Sequence, residues 1–202
     1  MRRMLGVLSL ILIAATGCGR ANAGPGDPGR ELGPSTTGTV APSPTGAVPT
    51  IERAAIYAAV LRRYLTTGDH SFGDTHRFPV AYVLERPDPN AAQPIGPPPG
   101  AAPLAPLPAA EQAQILAALA DVGKVEFIAD KDDVLVSVDR CAQVKNDGVM
   151  ILLAPPVGKG TRVEVGIHGY VACLGATWFT YVVEQAAGGW AVTGTTGPMA
   201  IA

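Results

Sequence analysis

Arg162-Val163-Glu164-Val165-Gly166-Ile167-His168-Gly169-Tyr170-Val171-Ala172-Cys173 is the stretch on which the fold turns. Val163, Val165, Ile167, Val171 and Cys173 recur at every second position, and Glu164, His168 and Tyr170 occupy the alternate ones. A period of two sends successive side chains to opposite faces of a sheet, so these residues form a long strand with one buried face. Residues 177–185 and 190–195 flank Ala186-Ala187-Gly188-Gly189, which reads as the turn of a hairpin. Upstream, residues 149–153 follow the turn Asn146-Asp147-Gly148 and are apolar throughout, as a buried strand is. Residues 125–128 and 134–138 are shorter strand candidates.

The helices lie earlier. Ile51, Ala54, Ala55, Ala58, Leu61 and Leu65 recur at helical spacing after a possible cap at Thr50, which predicts a helix over 51–66. Glu52 in its first turn complements the helix dipole. Val80, Tyr82 and Leu84 alternate within 78–85, the first strand. Residues 86–108 then carry about half of the chain's 19 prolines, which predicts a long surface loop of polyproline character. Pro108 at a first turn, Glu111, and Ile115, Leu116 and Leu119 mark a second helix, stopped by Gly123. With no visible alternation of strand and helix, the expected architecture is α+β, two early helices packed on a curved antiparallel sheet.

The other end of the chain gives an address. Met1-Arg2-Arg3 is a cationic start, and Met4 to Ala15 is an almost unbroken apolar run. The run is about 12 residues, a signal-peptide length and well short of the roughly 20 needed to span a bilayer. Ala15-Thr16-Gly17-Cys18 follows at once and resembles the lipobox of bacterial lipoprotein precursors. The resemblance implies a signal peptide over 1–17, acyl chains such as palmitate on Cys18, and a protein held at the extracytoplasmic face of the cell membrane. Ala21-Asn22-Ala23 before Gly24 offers a second cleavage site, and cutting there would release a secreted protein. Residues 18–49, rich in Gly, Pro, Ser, Thr and Ala, read as a disordered tether that cannot offset the entropy of ordering. Residues 50–202 are then one domain.

Two further resemblances come from the last strands. Thr180-Tyr181-Val182-Val183-Glu184, Gly188-Gly189-Trp190 and Ala191-Val192-Thr193 look like the final hairpin of NTF2-like domains. They also resemble the endings of small uncharacterised exported proteins of actinobacteria. The first resemblance implies a cone-shaped domain whose mouth binds small molecules, and it carries over no catalytic residues.

Charge and cysteine usage agree with export. The formal net charge is −2, from 15 basic and 17 acidic side chains, and no basic block appears, so nucleic acid is not an expected partner. Lipidation uses one of three cysteines. Cys141 and Cys173 remain as an even pair, for which a disulfide is expected and a free buried pair is the alternative.

Chemistry is sparse. His70 and His76, with Asp74 between them, offer nitrogen and carboxylate to a metal, and His168 is a distant third nitrogen, but the spacing is not a standard one. A solvated loop accounts for these residues as well, and no cofactor is expected. Asp130-Lys131-Asp132-Asp133 lacks the glycine and distal glutamate of a calcium loop. Gly158-Lys159-Gly160-Thr161 lacks the full phosphate-loop pattern and joins two strands as a hairpin turn. Neither Ser71 nor Ser137 has the context of a nucleophile elbow. Glu164, His168 and Tyr170 share one strand face and could line a pocket.

Two functional readings follow. The first is a membrane-anchored lipoprotein acting as a non-catalytic binding or interaction module toward a protein or small-molecule partner. The alternative is an NTF2-like small-ligand receptor or enzyme with a pocket near His168.

Overall fold

The computed structural model describes residues 50–73, 76–94 and 102–202. The expected signal peptide over 1–17, Cys18 and the expected tether up to residue 49 lie outside the described residues, as does Asp74. Among the described residues no helix is long and apolar enough to cross a membrane.

Helix α1 (Thr50–Thr66) is the keel of the domain. Ile56, Tyr57, Val60, Leu61 and Tyr64 are fully buried, a stripe at the i, i+3, i+4, i+7 spacing that one helix face presents. Ala55, expected on that stripe, is exposed, because the two tyrosines and Val60 carry the buried face instead. The chain continues through a short 3-10 turn (Gly68–His70) into β1 (Val80–Leu84), then α2 (Ala109–Ala118) and β2 (Lys124–Ile128). Next come β3 (Leu135–Val138), β4 (Cys141–Val144), β5 (Val149–Leu153) and β6 (Val157–Lys159). The long strands β7 (Arg162–Ala172), β8 (Gly175–Ala186) and β9 (Gly189–Ile201) close the domain.

The α+β class is as expected, but the sheet is mixed, not antiparallel. β1 pairs in parallel with both β2 and β5, whereas β5–β7, β7–β8 and β8–β9 are antiparallel. The physical reason lies between Leu84 and Lys124. Parallel neighbours need a crossover of a dozen residues or more, usually helical, and the proline-rich stretch followed by α2 is that crossover. A single such unit, with its helix displaced by a long loop, leaves no repeating strand–helix alternation to read.

β7 is the central strand. It pairs with β8 along almost its whole length, and β6, β5 and β4 meet successive parts of its other edge. Val163, Val165 and Ile167 enter the core beneath α1, together with Val83, Ile151, Phe179, Tyr181 and Val183. A second, smaller core on the opposite face joins Val80, Tyr82 and Met150 to Val134 and Val144. Both faces of the sheet centre are therefore covered, which explains why residues 149–153 are uniformly apolar.

Cys141 and Cys173 form a disulfide that joins β4 to the turn between β7 and β8, with Cα atoms 5.5 Å apart. The bridge spans 32 residues of sequence. By restricting the unfolded chain, a loop of this size contributes about 3.7 kcal/mol.

Candidate functional site

The alternation that buries Val165 and Ile167 beneath α1 turns His168 to the other face. There it faces Leu152 on β5 and Trp178 on β8, its directly paired neighbours. The imidazole stacks on the Trp178 indole with centroids 4.7 Å apart and planes 18° apart. The segment that leaves β1 then folds over this face. Asp88 donates its N–H to Leu153 O (2.9 Å), and its carboxylate accepts from Asn90 N (2.8 Å), forming an Asx turn. Gln93 N donates to Asn90 O at 2.8 Å, closing a second turn. The strand beneath meets this loop at a residue without a side chain: a Cβ on Gly166 would lie 2.9 Å from the Cβ of Ala92.

Between loop and sheet is a cavity of about 230 Å³, walled by Leu84, Asp88, Met150, Leu152, His168 and Trp178 among others. A second compartment of about 440 Å³ adjoins it, sharing Leu84, Asp88, Asn90, Lys131 and Leu152 and extending along Arg86, Pro103 and Leu104. The crossover that sets β1 and β2 parallel thus also roofs this groove.

Burial holds the His168 pKa down to about 4, against a weaker upward pull from Asp88, so the ring is neutral at pH 7. Its Nε2 is enclosed and has no hydrogen-bond partner among the described residues. The depressed pKa fixes a pH dependence. Below about pH 6.5 the unfolded chain takes up a proton at this residue that the folded one refuses, so stability falls as pH drops toward 4. Above pH 6.5 the residue contributes no such penalty. Chemical denaturation at pH 7 and pH 4 should therefore show wild type losing about 3 kcal/mol more than His168→Phe. Equal losses in the two proteins would mean that the imidazole is solvated.

The other residues of the expected pocket go elsewhere. Tyr170 has its ring 6.4 Å from that of His168, but its hydroxyl donates to Ala142 O (2.6 Å) and its side chain packs on the smaller core. Glu164 is exposed, paired with Val157 and Val182 near the start of β7. Neither lines the cavity. Their shared face was readable from the alternation. Trp178, Met150, Leu152 and Asp88 carry no such signal, because cross-strand register and the path of the loop bring them in.

His70 and His76 do approach one another, with centroids 6.3 Å apart, but inside an aromatic cluster. His70 is buried against Tyr64, Phe72 and Phe78, and its Nδ1 accepts the Phe72 N–H at 3.2 Å. His76 lies on Phe78, 4.6 Å between centroids, beside a cavity of about 320 Å³. Among the described residues no group of three or more His, Cys, Asp or Glu side chains could hold a metal ion.

Fold and site together define an α+β domain with a roofed, largely apolar groove on one face of a mixed sheet. No protein-family model, curated protein or solved structure was found to match the chain.

Proposed function

We propose that this chain is a lipid-anchored, extracytoplasmic binding protein without chemistry of its own, and that the groove beside His168 and Trp178 is its binding seat. The observation that carries the reading is the largely apolar cavity roofed by the loop after β1, with the stacked His168 and Trp178 rings at its wall. A roofed, mostly apolar cavity with a few polar groups at its wall is the usual form of a small-ligand seat. A catalytic histidine needs an orienting carboxylate or a nucleophile in hydrogen-bond reach, and the Nε2 of His168 has neither among the described residues. Export is supported by the Cys141–Cys173 disulfide, a bond favoured in oxidising compartments. The anchor rests on the lipobox-like run ending at Cys18. An NTF2-like relationship belongs to the same proposal. Its support is a helix laid across a sheet whose last three strands are long and antiparallel.

Native mass spectrometry of the full-length precursor's product tests both parts, after expression in a bacterial host and extraction in mild detergent without reductant or chelator. The expected mass is a chain beginning at Cys18 with acyl chains attached, carrying a small molecule that collisional activation releases. A chain beginning at Gly24 removes the anchor. A bare chain, still bare after incubation with a membrane extract of the host, removes the binding seat.

A further inference from the structure

We propose that the cavity beside Phe72 and Phe78 is a second binding site, and that it takes a small organic cation whose nitrogen is fully alkylated. It shares no wall residue with the two compartments near His168, so it stands independently of the groove.

Three segments build the site. The loop that leaves α1 supplies Phe72, His76 and Phe78. Strands β4 and β7, paired at Gln143 and Ala172, add Val144 and Val171, and the Cys141–Cys173 disulfide ties the two strands together at one side of that pair. The 3-10 turn Lys145–Asp147 ends at Asp147, which is exposed, lines the cavity and holds a left-handed backbone at φ 50°.

The rings make the first argument. Phe72 and Phe78 have centroids 5.7 Å apart and planes 83° apart, so their faces bound two sides of a corner. Phe72 also stacks on His70 at 5.6 Å, and His76 meets Phe78 at 4.6 Å, which restrains both rings. Both phenylalanines are only half-buried, so part of each ring stays open. An aromatic face is the negative end of the ring quadrupole and attracts a cation.

Charge makes the second. Among the described residues of this wall Asp147 is the one carboxylate, and no lysine or arginine joins it. Asp147 forms no ion pair among the described residues. The cations beside these segments are committed to backbone carbonyls, Lys145 to Asp133 O at 2.9 Å and Arg77 to His76 O at 2.9 Å and Thr66 O at 3.2 Å. The wall therefore offers net negative charge with aromatic faces.

The donor set then decides which cation. No group of three or more His, Cys, Asp or Glu side chains among the described residues could hold a metal ion, so the charge sits on an organic group. A primary ammonium is strongly hydrated and brings three N–H donors, which aromatic and aliphatic walls cannot satisfy. Alkyl groups in place of those hydrogens remove the demand and pack on the rings.

The test sets choline against 3,3-dimethylbutan-1-ol, which has the same shape with carbon in place of nitrogen and no charge. Equilibrium dialysis uses the full chain in uncharged maltoside micelles, corrected for uptake by micelles alone. The expected result is saturable binding of one choline, about tenfold tighter than the neutral alcohol. Ethanolamine, a primary ammonium, and glycerophosphocholine, whose phosphate meets no cation here, should both bind more weakly than choline. Asp147→Asn keeps the shape of the side chain and suits a left-handed backbone, so it leaves the fold intact. It should bring choline and the alcohol within about threefold, and Phe72→Leu should weaken choline about fivefold. Equal affinities for choline and the alcohol in wild type overturn the charge selectivity. Ethanolamine binding as tightly as choline overturns the alkylated class. Equal binding of glycerophosphocholine overturns a free solute as the source and assigns the cation to a lipid headgroup. Saturable binding of none of the probes overturns the site. A choline preference that survives both substitutions overturns its placement at Phe72 and Asp147.

Discussion

Gly169→Ala should cost the domain about 4 kcal/mol, beyond the usual 1–3 kcal/mol of an overpacked core. A Cβ at this position on β7 would lie 1.7 Å from the Tyr64 hydroxyl and 2.6 Å from its Cζ. Tyr64 cannot step aside. It is fully buried, its ring stacks on Phe179 with centroids 6.2 Å apart, and its hydroxyl shares a 3.1 Å hydrogen bond with Thr177. The missing side chain is therefore what lets α1 lie close against the sheet. Gly166→Ala gives the contrast, because the two nearest atoms belong to Ala92 on the covering loop, which can yield, and the buried Ala154 Cβ is met only at 3.2 Å. Its cost should stay within about 2 kcal/mol. Tyr64→Phe alone should cost about 1 kcal/mol through the lost Thr177 bond, and should recover part of the loss when combined with Gly169→Ala. Urea unfolding of the four variants measures all of this. A Gly169→Ala cost below 1 kcal/mol would show that α1 does not press on β7 at this point.

The same strand shows what a sequence can and cannot disclose. The alternation in β7 set which residues face α1, and Val163, Val165 and Ile167 do enter the core. Residues 149–153, the helix ending at Thr66 and the hairpin at Ala186 and Gly189 were equally legible, because each rests on local periodicity or turn chemistry. The parallel pairing of β1 with β2 and β5 was not. Strand order depends on which edges meet after the chain has closed, and the long proline-rich loop disguised the crossover. β4 is not legible because Cys141-Ala142-Gln143-Val144 is too short to show a period. β9 runs to Ile201 through Gly194, Gly197 and Pro198, residues that read as breakers and are accommodated on an edge strand with register shifts. The candidate site divides in the same way. His168 could be named from its strand face. Its neighbours come from β5, β8 and the loop after β1, three segments with no mutual signal in sequence, and Tyr170 and Glu164 share its face without sharing its cavity.

Arg53→Met should destabilise the domain by about 3–5 kcal/mol, far more than the removal of a surface arginine. Arg53 on α1 grips Glu111 in the first turn of α2 with both ends of its guanidinium, Nε to Oε1 at 2.6 Å and Nη2 to Oε2 at 2.5 Å. The Glu111 side chain has no solvent exposure, whereas that of Arg53 keeps 30%. Removing the arginine therefore strands a carboxylate away from water. The double variant Arg53→Met with Glu111→Leu removes both charges and should return to within about 1 kcal/mol of wild type, because an apolar pair avoids the desolvation that the ion pair must overcome. A single substitution as costly as the double would mean that shape, not charge, joins the helices. The link also reaches the binding groove. Gln112, beside Glu111, donates to Leu107 O at 2.9 Å, and Leu107 N donates to Glu85 O at 2.7 Å, pinning the run that carries Pro103 and Leu104. Loosening α2 should thus weaken the outer compartment before it disturbs His168.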